Sequence, residues 1–305
     1  MSTLAERAEH AEPAQPGQPT DPKGPVEVAD GYRAGRTLPF RVELVRQLKR
    51  RRTMVMGGIL FALPLVLWIA FQVGGTPGDG NNRVNLMDTA TASGSNFAAV
   101  NLFAAAGFLL VIPVALFCGD TVASEASWSS LRYLLAAPVP RARLLWSKLA
   151  VGLTLSLAAL VLLPVVALLV GSLAYGWGPL ELPTGGEIGQ GAAAQALLIT
   201  VGYIFVSQLV TAGLAFWLST RTDAPLGAVG GAVGLTIVGN VLDSVTALGD
   251  WRDFLPAHWQ YAWLDVVQPK PDYTDMIQGV SISVTYALVL FALAFRGFAR
   301  KDVVS

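Results

Sequence analysis

From residue 53 onward the chain alternates long apolar runs with short polar stretches. The runs cover 53–73, 97–118, 149–170, 192–218, 225–244 and 279–298. Each approaches the ~20 residues that an α-helix needs to cross a bilayer. The fourth is long enough to tilt or to project beyond the membrane. Ahead of them, residues 38–52 follow a different rhythm. Leu38, Val42, Val45 and Leu48 fall on one side of a helix, and Glu43, Arg46, Gln47 and Arg50 fall on the other. This pattern predicts an amphipathic helix lying in the membrane interface. Residues 1–37 are rich in Pro, Ala, Gly, Glu and Gln, and too poor in large apolar side chains to offset the entropy of ordering. They are expected to form a disordered cytoplasmic tail, and 299–305 a second, short one. The fold class expected is an all-α membrane protein, with six transmembrane helices (53–298) preceded by the cytoplasmic interfacial helix.

Charge orients this arrangement. Arg41, Arg46, Lys49, Arg50, Arg51 and Arg52 precede the first span. Arg132, Arg141, Arg143 and Lys148 lie between the second and third, and Arg300 and Lys301 follow the last. The opposite side holds only Arg83, Arg252 and Lys270, among several aspartates. The positive-inside rule therefore puts both termini in the cytoplasm. A multi-pass protein of the cell's inner (plasma) membrane is expected.

Composition agrees and narrows the chemistry. Only 14% of residues are charged, against about 25% in ordinary soluble domains, and 53% are hydrophobic. Formal net charge is zero, which gives no electrostatic reason to expect a nucleic-acid partner. The single cysteine, Cys118, rules out an internal disulfide, and His10 and His258 lie far apart, so a metal site is not expected. No G-x-x-x-x-G-K-[ST], H-E-x-x-H or G-x-S-x-G motif occurs, so neither catalytic residues nor a bound cofactor are expected in this chain.

Within the spans a few residues break the apolar pattern. Asn101 lies in the second, Ser207, Gln208 and Thr211 in the fourth, and Asn240 and Asp243 in the fifth. These are candidates for a translocation path, because polar groups in lipid are costly. The alternative is that they tie helices together. Pro64, Pro113 and Pro164 fall near the middles of spans one to three, where each is expected to bend its helix or to be accommodated by neighbours. The fifth span carries two GxxxG pairs, Gly227/Gly231 and Gly230/Gly234, which favour close helix packing. The outer loop 245–278 is aromatic, with Trp251, Phe254, Trp259, Tyr261 and Trp263, and should dip into the outer leaflet as short helices.

The most informative stretch is the polar island 119–148. A helix over its first half, 120–137, would place Glu125, Ser129 and Arg132 on one face beside an apolar stripe of Trp128, Leu131 and Leu135. Pro138 would end it. Gly119, Asp120, Glu125, Ser130, Leu131, Arg132, Leu134, Leu135, Pro138, Arg141, Leu144, Leu145 and Lys148 resemble the pattern that type-2 ABC transporter permeases carry between their second and third spans. Trp128-Ser129 departs from it, since many members have a small Gly-Thr step there. The FLPAHWQYAW segment and the six-span layout are also similar, over about residues 38–300.

That resemblance implies the permease subunit of an ATP-driven exporter. Such a permease pairs with a second permease chain, identical or related, and with two copies of a separate ATPase that binds ATP and magnesium. It further implies that 120–137 is a coupling helix, with Asp120, Glu125, Trp128, Leu131, Arg132 and Arg141 as ATPase-coupling residues. A non-transporting scaffold or immunity component, or a secondary carrier, would share the spans but not the dependence on an ATPase.

Overall fold

The computed structural model describes residues 40–74, 86–127, 140–183, 185–268 and 270–300. They belong to one unit, Ala34–Ser305. In chain order the helices are α1 (Phe40–Leu48), α2 (Arg51–Gly74), α3 (Gly94–Ala106), α4 (Val111–Ser127) and α5 (Arg141–Tyr175). After them come α6 (Gln190–Ser207), α7 (Leu209–Arg221), α8 (Pro225–Ser244) and α9 (Thr274–Ala299). Helices α6 and α7 form one span of 32 residues, and five spans in all are long and apolar enough to cross a membrane. Counting α3 and α4 as one bent span makes six. The protein is an all-α membrane protein.

Helix α7 lies near the centre of the bundle, packed against α4, α9 and α8, while α5 packs on α3, α4 and α2. The most apolar part of α6–α7 is 50% buried, but that of α2 is only 17% and of α8 only 11% buried. Exposed Val55, Ile59, Val66 and Ile69 on α2, and Leu226, Val238 and Val241 on α8, make these two helices the periphery. A surface of that kind is stable against lipid or another apolar helix, not against water.

Span two is broken. Helices α3 and α4 meet at 54°, across the turn 107–110. Pro113 falls in the first turn of α4, where its missing N–H would have had no helical partner. It therefore starts a new helix instead of bending a continuous one. Pro64 and Pro164 lie inside α2 and α5, as the sequence pattern predicts.

The closest helix contacts depend on glycines outside α8. A Cβ on Gly171 of α5 would sit 2.8 Å from the Phe97 Cβ and 3.0 Å from the Gly94 Cα of α3. One on Gly152 would sit 2.9 Å from the Phe117 carbonyl oxygen of α4. In the GxxxG pairs only Gly231 is tight, against Leu218, and Gly230 and Gly234 face open space.

Two small features complete the other end. A hairpin pairs Leu180–Glu181 with Glu187–Ile188, and Asn96 clamps it by donating to the Glu181 carbonyl (2.7 Å) and accepting from its N–H (2.9 Å). The aromatic loop forms 3-10 helices at Thr246–Phe254 and Ala262–Asp265. Trp259 and Trp263 are buried, and Trp251 and Phe254 exposed.

Candidate functional site

Two polar constructions interrupt this apolar bundle. The first gathers charge where α1, α2, α4 and α5 meet. Glu125 of α4 receives Lys148 Nζ of α5 at 2.6 Å and is also paired with Arg46 of α1. Glu43 of α1 lies 2.8 Å from Arg46 and 3.6 Å from Lys148, and accepts from Gln47 at 3.1 Å. One turn away, Asp120 takes Arg50 on one oxygen (2.6 Å) and Arg52 on the other (2.5 Å). The Lys148 and Glu125 side chains are only 3% and 5% exposed. Buried charge on this scale is tolerated only when it is paired.

This clasp explains an inversion in α1. Its Glu43 and Gln47 are buried, while Val42, Val45 and Leu48 are exposed. The polar face turns inward to Lys148 and Glu125, and the apolar face turns out. Burial alone would raise the Glu43 pKa, but Lys148 and Arg46 outweigh it and hold the carboxyl below its usual range.

At the end of α4 itself, Glu125 is thus brought together with α1 and Asp120 with the start of α2. Helix α4 runs unbroken from Val111 to Ser127, so these two acids continue the span instead of opening a separate helix at 120. Both are buried. Arg141, exposed at the start of α5, donates to the Ala299 carbonyl at 3.3 Å. Trp128, Leu131 and Arg132 lie outside the described residues.

The second construction is a cavity of about 320 Å³ between α6–α7, α8, α9 and the aromatic loop. Ser207, Gln208, Thr211 and Asn240, singled out from the sequence, all line it. Thr236, Gln260 and Tyr286 complete its polar wall, and Val210, Leu214, Leu235 and Leu290 supply apolar surface. No carboxylate, amine or imidazole reaches the lining.

The cavity abuts the break in span two. Gln208 Nε2 donates to the Ala106 carbonyl (3.4 Å), and Asn240 Nδ2 to the Gly107 carbonyl (3.3 Å). Ending α3 early frees these carbonyls, and the two amides from neighbouring spans answer them. Both bonds are long, and a primary amide has a second N–H and an acceptor oxygen besides. Thr211 and Thr236 share a hydroxyl contact of 3.3 Å.

Asn101 and Asp243 belong elsewhere. Asn101 is buried in α3 and donates to its own helix at the Phe97 carbonyl (2.8 Å). Asp243 ties the end of α8 to the aromatic loop, through His258 Nδ1 at 2.7 Å and Arg252 Nε at 3.3 Å. Thr236, Gln260 and Tyr286 were missed by the sequence reading. Thr236 could have been found four residues before Asn240 on one helix face, whereas Gln260 and Tyr286 carry no local signal. Among the described residues no group of three or more His, Cys, Asp or Glu is placed to hold a metal ion.

The chain is thus a bundle of apolar spans with ion-paired groups at the clasp and at the aromatic loop, and a neutral polar cavity between helices. Residues 41–222, more than half of the chain, match the model of the ABC-2 family transporter proteins, and the chain belongs to that family. The match takes in α1 to α7 apart from the first residue of α1. Similarity also extends to the uncharacterized protein YhcI of Bacillus subtilis (strain 168). The two are 26% identical over 205 residues, spanning 60% of this chain and 61% of that protein.

Proposed function

We propose that this chain is the membrane-spanning permease of an ATP-driven ABC exporter. The observation that carries the reading is the clasp. Residues 128–140 connect α4 to α5, and the Lys148–Glu125 pair bridges the two helices close to that connection, with Arg46 and Glu43 adding α1. A push on the connection would therefore move three elements together. Trp128, Leu131 and Arg132 are the contacts with a separate ATPase, which supplies ATP and magnesium. Asp120 and Glu125 transmit that contact as fasteners, and Arg141 leads it into α5.

In this reading both termini are cytoplasmic, and α1 lies along the inner face of the membrane. Its outward Val42, Val45 and Leu48 suit lipid, since the same face in water would be unfavourable. The open glycine face of α8, at Gly230 and Gly234, suits a second permease chain. Ser207, Gln208, Thr211 and Asn240 line the substrate path, whose neutral wall favours uncharged or amphipathic cargo. Asn101 and Asp243 serve structure.

Purification of the tagged chain from its own cells tests this. An ATPase should copurify, and its activity should depend on the permease. Arg132→Ala should lose that stimulation while leaving thermal stability intact. Absence of any ATPase, or transport driven by an ion gradient alone, would refute the proposal.

A further inference from the structure

Beside the clasp, a second cavity of about 420 Å³ opens at the start of α2. It is lined by Arg50, Arg51, Arg52, Asp120, Ser124, Ser127 and Pro225. Asp120 is its one acid, and its two oxygens are spent on Arg50 and Arg52. Arg50 also donates to the Ser124 hydroxyl at 3.3 Å. These bonds hold two guanidinium groups in place at the cavity wall. Arg51 lines the same space, is exposed, and has no carboxylate partner among the described residues.

Three bases against one acid leave an uncompensated positive excess in a concave site. Guanidinium forks match phosphate oxygens in pairs, and the side chains are already positioned. The cavity also adjoins the start of an apolar span, where an acyl chain could continue along exposed Met54 and Val55. We propose that this cavity binds a phosphate group, presented by the headgroup of an anionic phospholipid. Arg51 supplies the free fork, and Arg50 and Arg52, braced by Asp120, supply the flanking charge. Basic recesses at the cytoplasmic ends of helices are suited to such headgroups.

The full chain, purified in mild detergent and mixed with equal amounts of phosphatidylglycerol and phosphatidylcholine, should retain phosphatidylglycerol preferentially in native mass spectrometry. Arg51→Gln should lower that retention roughly tenfold, as expected for loss of one charge-assisted contact. Arg51→Lys should restore part of it, since the charge remains but the fork does not. Arg41→Gln, an exposed base outside the cavity, is the control and should leave retention unchanged. Adding excess inorganic phosphate separates the sources: retention that persists upholds the lipid, and loss shows that a soluble phosphate takes the site instead. Equal retention of the two lipids, or an equal fall in Arg41→Gln and Arg51→Gln, would overturn the proposal. Among the described residues Arg51 has no ion pair to lose, so unchanged thermal stability should accompany the effect of Arg51→Gln.

Discussion

The clasp and the central cavity treat polarity in opposite ways. At the clasp, the acids Glu43 and Glu125 and the bases Arg46 and Lys148 pack against one another at 2.6–3.6 Å, with Arg46 and Glu125 closer still. In the cavity, Ser207, Gln208, Thr211 and Asn240 are neutral, and the amide bonds to the broken helix are 3.3–3.4 Å long. Charge can be buried only where its partner is fixed in the fold. Neutral polar groups carry a smaller penalty, so they can line a space whose other occupant comes and goes. On the proposed function, the clasp holds and the cavity passes.

Removing Lys148, the buried cation that Glu125 and Glu43 share, should produce the largest effect. Lys148→Met would take from Glu125 and Glu43 the cation they share and leave both beside Arg46. Loss of one partner from a buried pair costs about 3–5 kcal/mol. Thermal unfolding in detergent should show a large drop, and the double variant Lys148→Met/Glu125→Gln should recover much of it. If the double variant fell as far as the sum of the single ones, the pair would not be coupled.

Packing alone sets the next scale. Gly171→Ala would force a Cβ against Phe97 and Gly94 where α5 crosses α3. Overpacking of this type costs about 1–3 kcal/mol. Because no charge is involved, this variant calibrates how much of the Lys148→Met loss is electrostatic. The same substitution at Gly230, which faces open space, should leave the isolated chain's stability unchanged.

What the sequence made legible follows the same division. Five of the spans are long and continuous, so apolar length alone located them. The break at 107–110 was hidden because the run 97–118 stays apolar through Gly107 and Leu110. The hairpin at Leu180–Ile188 has strands of two residues, too short for any alternation to register. Ser207, Gln208, Thr211 and Asn240 stood out as polar residues in apolar surroundings, and the fold brings them to one cavity. The clasp was half legible. Asp120 and Glu125 were visible as acids, but not that their partners come from α1, the start of α2 and α5. The clue was Glu43, a lone acid among six bases in 41–52. Its burial shows that the polar side of α1 faces the protein and the apolar side faces out, an orientation that sequence periodicity cannot decide.

Cavity substitutions should cost little stability and much function. Gln208→Leu loses one long bond to the Ala106 carbonyl, and interhelical bonds in membranes average about 0.6 kcal/mol. Stability should fall by no more than that, while substrate-stimulated ATP hydrolysis by the assembled complex should drop several-fold. A Gln208→Leu protein as unstable as Lys148→Met would erase the distinction between the two regions.

A similarly small effect is the most selective. Glu43 is held below its ordinary value of 4.5 against a burial effect in the opposite direction, because Lys148 and Arg46 stabilise its ionised form. A depressed folded-state pKa contributes stability that is complete above the unfolded value and is lost as pH falls through the folded one. The melting-temperature gap between the wild-type chain and Glu43→Gln should therefore stay constant above about pH 4.5 and narrow below it. Arg46 is half exposed to solvent, which screens the pair, so the gap itself should correspond to less than about 1 kcal/mol. The gap between wild type and Gln208→Leu should not respond to the same acidification, since no carboxylate or imidazole lines the cavity. Parallel pH profiles for the two variants would mean that acid loosens the whole bundle and that Glu43 has no separate part in it.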